Sequence, residues 1–72
     1  MNGGKYEYTM QLLAAMASIN IARQQKISRN KAFFKFMKSK TAELLFDEDS
    51  DFWMNGPDYI ADEYRREKGL IK

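Results

Sequence analysis

The residues that most often serve as general base, nucleophile or metal ligand are missing from this 72-residue chain, which contains neither histidine nor cysteine, and its charged candidates are carboxylates, lysines and arginines. That inventory excludes zinc sites built from Cys and His. It also excludes catalytic dyads and triads that need an imidazole. The carboxylates offer one metal-like spacing. Asp47, Asp49 and Asp51 match positions one, three and five of a calcium loop, with Asn55 at position nine and Asp58 at position twelve. The sixth position needs a glycine for its sharp turn and holds Phe52, and Asp58 is one methylene shorter than the bidentate Glu the motif requires. Pro57 stiffens the loop further. The segment is therefore read as a solvated acidic loop with no metal bound. Asp58 and Asp62 stand at i, i+4, yet no nucleophile or cofactor loop accompanies them, and Asn55-Gly56-Pro57 lacks the repeated glycines of a phosphate cradle. The expectation is a protein that is not an enzyme and carries no cofactor.

The cations are the more informative set. Seven of twelve lie between Arg23 and Lys40, in a stretch without an acid: Arg23, Lys26, Arg29, Lys31, Lys35, Lys38 and Lys40. From Thr41 onward nine acids face four bases, a local charge of −5. The net charge of +2 thus hides a basic block followed by an acidic one. A face of one sign selects a charged partner. Lysines and arginines at 23–40 could neutralise phosphates, with Lys38-Ser39-Lys40-Thr41 as the turn of a helix-turn-helix. Against this, the turn has no glycine, and Leu44, Leu45 and Phe46 make a poor recognition helix. The plainer reading places Lys31, Lys35 and Lys38 on the wet side of an amphipathic helix. In a folded bundle the two charge blocks either screen one another or pair between copies.

Apolar residues complete the candidate surface. Ten aromatics and five methionines are many for so small a chain. Most must be spent on the core, but such residues are also enriched at partner surfaces. Phe33, Phe34 and Phe36 cannot all face one way on a helix, where neighbours are about 100° apart. One of them, or Phe52 or Trp53, is expected to be exposed or to sit in a dimer interface. The candidate partner-binding residues are Arg29, Lys31, Lys35, Lys38, Phe34, Phe52 and Trp53. The expected partner is another protein or a second copy of the chain, with nucleic acid, bound through the block at 23–40, as the alternative.

The elements that must position these residues read as helices throughout. After a flexible start over 1–4, a long helix is predicted from about Lys5 to Gln25, with Tyr6, Met10, Leu13 and Ala17 at i, i+4, i+7 and i+11 and Leu12, Met16 and Ile19 widening the stripe. Its alanines favour helix and allow a close neighbour. Ser28 is a candidate N-cap for a second helix over Arg29 to Lys38, with Phe33, Phe36 and Met37 on its dry side. Ser39 or Thr41 caps a short third helix, or the second simply runs on. Asn55-Gly56-Pro57 is a turn, and Pro57 opens a last helix on which Pro57, Ile60, Ala61 and Tyr64 form the apolar face. Gly69 reads as its C-terminal cap, with Leu70 packing back. The fold class is all-α, a single domain over 1–72 built as a small bundle of three or four helices with a long first one. No segment reaches the ~20 apolar residues of a membrane span, and the apolar-rich stretch from Met10 to Ile21 lacks the basic start and cleavage-site context of a signal peptide. A cytoplasmic location is expected.

From Ser28 onward one series of residues carries a likeness: Ser28, Ala32-Phe33, Phe36, Ser39-Lys40-Thr41, Leu44-Leu45, Phe52-Trp53, Pro57, Tyr59-Ile60 and Tyr64. Over about residues 28–68 the chain resembles a group of small bacterial helical proteins of unassigned role, some encoded beside ADP-ribosyltransferase-like toxins. The resemblance implies a cytoplasmic bacterial protein that binds a partner, as an antitoxin-like or accessory component of an operon. It transfers no site residues, because no motif of that group has an assigned role.

Overall fold

The computed structural model describes residues 4–70, with the side chains of residues 7–70. Its elements are α1 (Gly4–Gln25), α2 (Arg29–Met37), α3 (Lys40–Leu45), two 3₁₀ turns (Glu48–Ser50 and Phe52–Met54) and α4 (Pro57–Glu67). The described residues form no strand. The molecule is an all-α bundle of four helices in which α2 and α4 both pack on α1, α3 bridges to α4, and the second 3₁₀ turn sits against α1 and α3. None of the described helices is long and apolar enough to cross a membrane. Gly4 already belongs to α1, so the flexible start predicted to reach it is shorter there; residues 1–3 lie outside the described residues.

The core is made of few large side chains and many small ones. Phe36, Ile21, Leu45 and Ile60 are fully buried, joined by Met10, Tyr64 and by Ala14, Ala17, Ala22, Ala32, Ala42 and Ala61. The alanines let helix axes approach closely, which is how a short chain fills its interior at native density. Of the predicted stripe of α1, Met10 and Ala17 face inward and Leu13 packs half-buried against the core, but its expected widening through Leu12 and Met16 is corrected. The inward seam is Met10, Ala14, Ala17 and Ile21, whereas Leu12 and Met16 are 47% and 44% exposed. Leu13 and Ile19 are half-buried, and the side chain of Tyr6 lies outside the described residues. Hydrophobicity drew the expectation to the leucines and methionine, while close approach of two neighbouring helices selects the alanine side.

Local capping explains the breaks. Ser28 is extended and its Oγ accepts from the Lys31 amide at 3.1 Å, starting α2 as predicted. Ser39 separates α2 from α3. It too is extended, its hydroxyl donates to the Phe36 carbonyl at 2.5 Å and accepts from the Ala42 amide at 3.1 Å, so one side chain closes one helix and opens the next. Pro57 opens α4, which buries Ile60, Ala61 and Tyr64. Gly69, at φ +75°, ends it in a Schellman motif with Leu70 N–H on the Arg65 carbonyl at 2.8 Å and Gly69 N–H on the Arg66 carbonyl at 3.2 Å. Leu70 is 54% exposed and covers the helix end only in part.

Candidate functional site

Helix α2 carries four of the seven candidate partner-binding residues, Arg29, Lys31, Phe34 and Lys35, and a fifth, Lys38, is its C-cap. Ala32 and Phe36 point into the core, one turn apart. At about 100° per residue the opposite pole of the helix falls on Phe34, which is 64% exposed. Phe33 and Met37, both exposed, flank Phe34 on one side. Lys31, Lys35 and Lys38 are exposed and flank it on the other. The Lys38 ammonium stands 4.6 Å from the centre of the Phe34 ring, a cation–π contact that holds charge and aromatic surface together. Phe33 and Met37, expected on the dry side with Phe36, are instead surface residues, because a nine-residue helix lying on α1 buries a narrow strip.

The acids of α4 are committed elsewhere. Asp62 pairs with Arg65 at 2.6 Å and Glu63 with Arg66 at 2.6 Å. Asp58 accepts from the Asn20 amide at 2.8 Å, and Asn20 in turn accepts from Arg65, a buried guanidinium that ties α4 to α1. Glu67 takes the amides of Lys40 and Thr41 at 3.0 and 2.9 Å and the Thr41 hydroxyl at 2.6 Å. Among the described residues no ion pair joins any of the seven cations from Arg23 to Lys40 to an acid. Any screening between the two charge blocks therefore acts without an ion pair among the described residues.

Beside α2, where α1, α2 and α4 all end, lies an open cleft of about 410 Å³ lined by Gln25, Lys35, Lys38, Tyr64, Lys68 and Leu70. Its floor is the buried Tyr64 ring, packed on Phe36 with ring centres 5.9 Å apart. The Lys68 ammonium sits 5.7 Å above the Tyr64 ring. Burial, and then the nearby Glu67 carboxylate, push the Tyr64 hydroxyl above its ordinary pKa, so it stays a neutral hydrogen-bonding group. Three lysines thus border one concave surface. The sequence pointed to Lys35 and Lys38. Lys68 and Gln25 were missed, because only the bundle brings the ends of three helices together.

The remaining candidates fall elsewhere. Phe52 and Trp53 sit on the second 3₁₀ turn, half-buried against the core, with the Phe52 ring 5.9 Å from that of Tyr59. The aspartates of the calcium-like spacing do not converge. Asp47 accepts from the Asp49 amide at 3.0 Å, and among the described residues no group of three or more acid, His or Cys side chains is placed to hold a metal ion. Helix α3, which a helix-turn-helix would insert into a groove, has six residues, buries Thr41, Ala42 and Leu45, and has its leading amides occupied by Glu67. Comparison with protein-family models, with curated proteins and with solved structures finds no match to this chain.

Proposed function

We propose that this protein is a non-catalytic interaction module that docks an acidic, apolar-anchored segment of another protein along α2. The carrying observation is Phe34, 64% exposed at the outward pole of the helix and bordered by lysines that form no ion pair with an acid among the described residues. A face meant only for water gains nothing from a phenylalanine at its centre, whereas a partner that covers it removes that surface from water. Phe34 and Met37 contact the apolar anchor, Lys31 and Lys35 meet its carboxylates, and the cleft of Lys35, Lys38 and Lys68 receives a further acidic side chain. Opposite charge sets orientation and speeds encounter, while the aromatic supplies the larger share of affinity. The short, internally capped α3 supports a protein partner over a DNA groove. The likeness read over residues 28–68, to small bacterial helical proteins some of which are encoded beside toxins, would make that role antitoxin-like or accessory in a bacterial cytoplasm.

An NMR titration tests this reading with a glutamate-rich peptide bearing interspersed leucine and phenylalanine, run beside a generic DNA duplex. Saturable shifts centred on α2 are expected with the peptide, lost when Lys31, Lys35 and Lys38 are changed to Glu. Phe34→Ala is expected to weaken binding by roughly tenfold or more, the effect of removing a central aromatic anchor. Duplex binding that survives Phe34→Ala and falls steeply between ~50 and ~200 mM salt would replace the protein partner with nucleic acid. The absence of any peptide shift at millimolar concentration would end the proposal.

A further inference from the structure

Two surfaces of this chain carry opposite charges that its own residues leave unpaired. Lys31, Lys35 and Lys38 border the exposed Phe34 and form no ion pair among the described residues. The connection between α3 and α4 is their counterpart. Asp47, Glu48, Asp49 and Asp51 are exposed there and likewise form no ion pair among the described residues. Met54, at the end of the second 3₁₀ turn, is 69% exposed. One patch is cationic around a phenylalanine. The other is anionic beside a methionine, whose thioether packs well against aromatic rings. The acidic segment is also firmly built. The Ser50 hydroxyl donates to the Leu44 carbonyl at 2.6 Å, a bond shared with the Asp47 carbonyl at 2.9 Å, and accepts from the Phe52 amide at 3.1 Å. Phe52 and Trp53, packed half-buried against the core, seat the turn that follows. A segment held in this way loses little further freedom when a partner meets it.

We infer that α2 docks residues 47–54 of a second copy of this chain. The inference rests on the reading of α2 as a site for acidic, apolar-anchored segments, and it names one such segment. Charge complementarity selects the copy. Four exposed carboxylates meet three exposed ammonium groups, and each patch brings an exposed apolar side chain for the other to cover. The two patches are different surfaces of one sequence, so the contact is head-to-tail rather than a surface meeting itself. Steering by opposite charge sets the orientation of the two copies. A partner protein that docks on α2 then competes with the second copy for the same lysines and the same phenylalanine. Exposed ion pairs contribute little individually, which places the dissociation constant at roughly 0.1–1 mM.

Two neutralised variants isolate the contact. A loop variant carries Asp47→Asn, Glu48→Gln, Asp49→Asn and Asp51→Asn, and a helix variant carries Lys31→Gln, Lys35→Gln and Lys38→Gln. All seven positions are exposed, so far-UV circular dichroism should match wild type. Each variant alone should give NMR spectra that do not change with concentration up to about 1 mM. Mixing restores the pair. Isotope-labelled loop variant titrated with unlabelled helix variant should show saturable shifts centred on α2, and the reverse labelling should shift residues 47–54. Wild type should show dilution shifts at both surfaces, weakening as sodium chloride rises from ~20 to ~500 mM. The glutamate-rich peptide, added to the labelled loop variant, separates this inference from the reading beneath it. Shifts with the peptide but none with the helix variant would overturn self-docking and leave the acidic-partner reading standing. No shift with either would overturn both. Concentration-dependent spectra of either variant alone would place self-association on another surface and overturn the inference.

Discussion

Lys26 and Gly69 end α1 and α4 with a shared geometry and different residues. Gly69 occupies the left-handed region freely, while Lys26 is held there at φ +60° with the Ile27 amide on the Ala22 carbonyl at 3.1 Å. A β-carbon in that region costs about 1 kcal/mol, so Lys26→Gly should stabilise the fold by up to about 1 kcal/mol in urea denaturation. Glu67 makes the opposite case, a side chain that holds more than its position suggests. Burial alone would raise its pKa, but the hydrogen bonds from Thr41 and from the Lys40 and Thr41 amides outweigh that effect, and the net shift is downward from 4.5. A carboxylate whose pKa is lower when folded stabilises fully above its unfolded value, and the contribution is lost as pH falls through the folded one. Glu67→Ala should therefore cost about 1–2 kcal/mol at neutral pH. The gap between variant and wild-type melting temperatures should narrow as pH falls below about 4. The Ser28 and Gly69 caps were legible in the sequence because they act on neighbours. Glu67 was not, because its partners lie 26 and 27 positions away.

Among the elements, α4 could be read almost completely and α1 only in outline. Pro57, Ile60, Ala61 and Tyr64 form one unambiguous stripe, and the structure buries the last three. In α1 apolar residues surround the helix, so periodicity placed Met10 and Ala17 correctly but could not exclude Leu12 and Met16, and packing buried Ala14 and Ile21 instead. Ala17, fully buried, marks the difference. Ala17→Leu should destabilise by about 1–3 kcal/mol through overpacking. Leu12→Ser should change the stability of the dilute protein by less than about 0.5 kcal/mol, as surface changes do. Chemical denaturation of both variants at low micromolar concentration checks the assignment of faces. The α2–α3 break was visible as two alternatives, and the double use of the Ser39 hydroxyl resolves it.

At the scale of the whole molecule, charge is distributed unevenly. The acids of α4 are engaged within α4 or with α1 and α3, while the exposed cations of the basic block face water. Lys31 and Lys35 are like charges at i, i+4, and Lys35 and Lys38 at i, i+3, a repulsion of some tenths of a kcal/mol for each pair. Salt screens such exposed repulsion, so the melting temperature of the monomer should rise between about 20 and about 500 mM sodium chloride; a fall would show that favourable pairs dominate instead. The sequence by itself determined the all-α class, the last helix, two of the caps, and the presence of a basic block holding more aromatics than one face can bury. These follow from periodicity, from local hydrogen bonding and from composition, all of which act over a few residues. Only the tertiary structure decided which side of α1 faces inward, that Phe34 stands at the outward pole, that Lys68 joins Lys35 and Lys38 around one cleft, and that Glu67 caps α3. Each of those depends on contacts between segments distant in the chain, where the close approach of small side chains outweighs the hydrophobicity of any single residue.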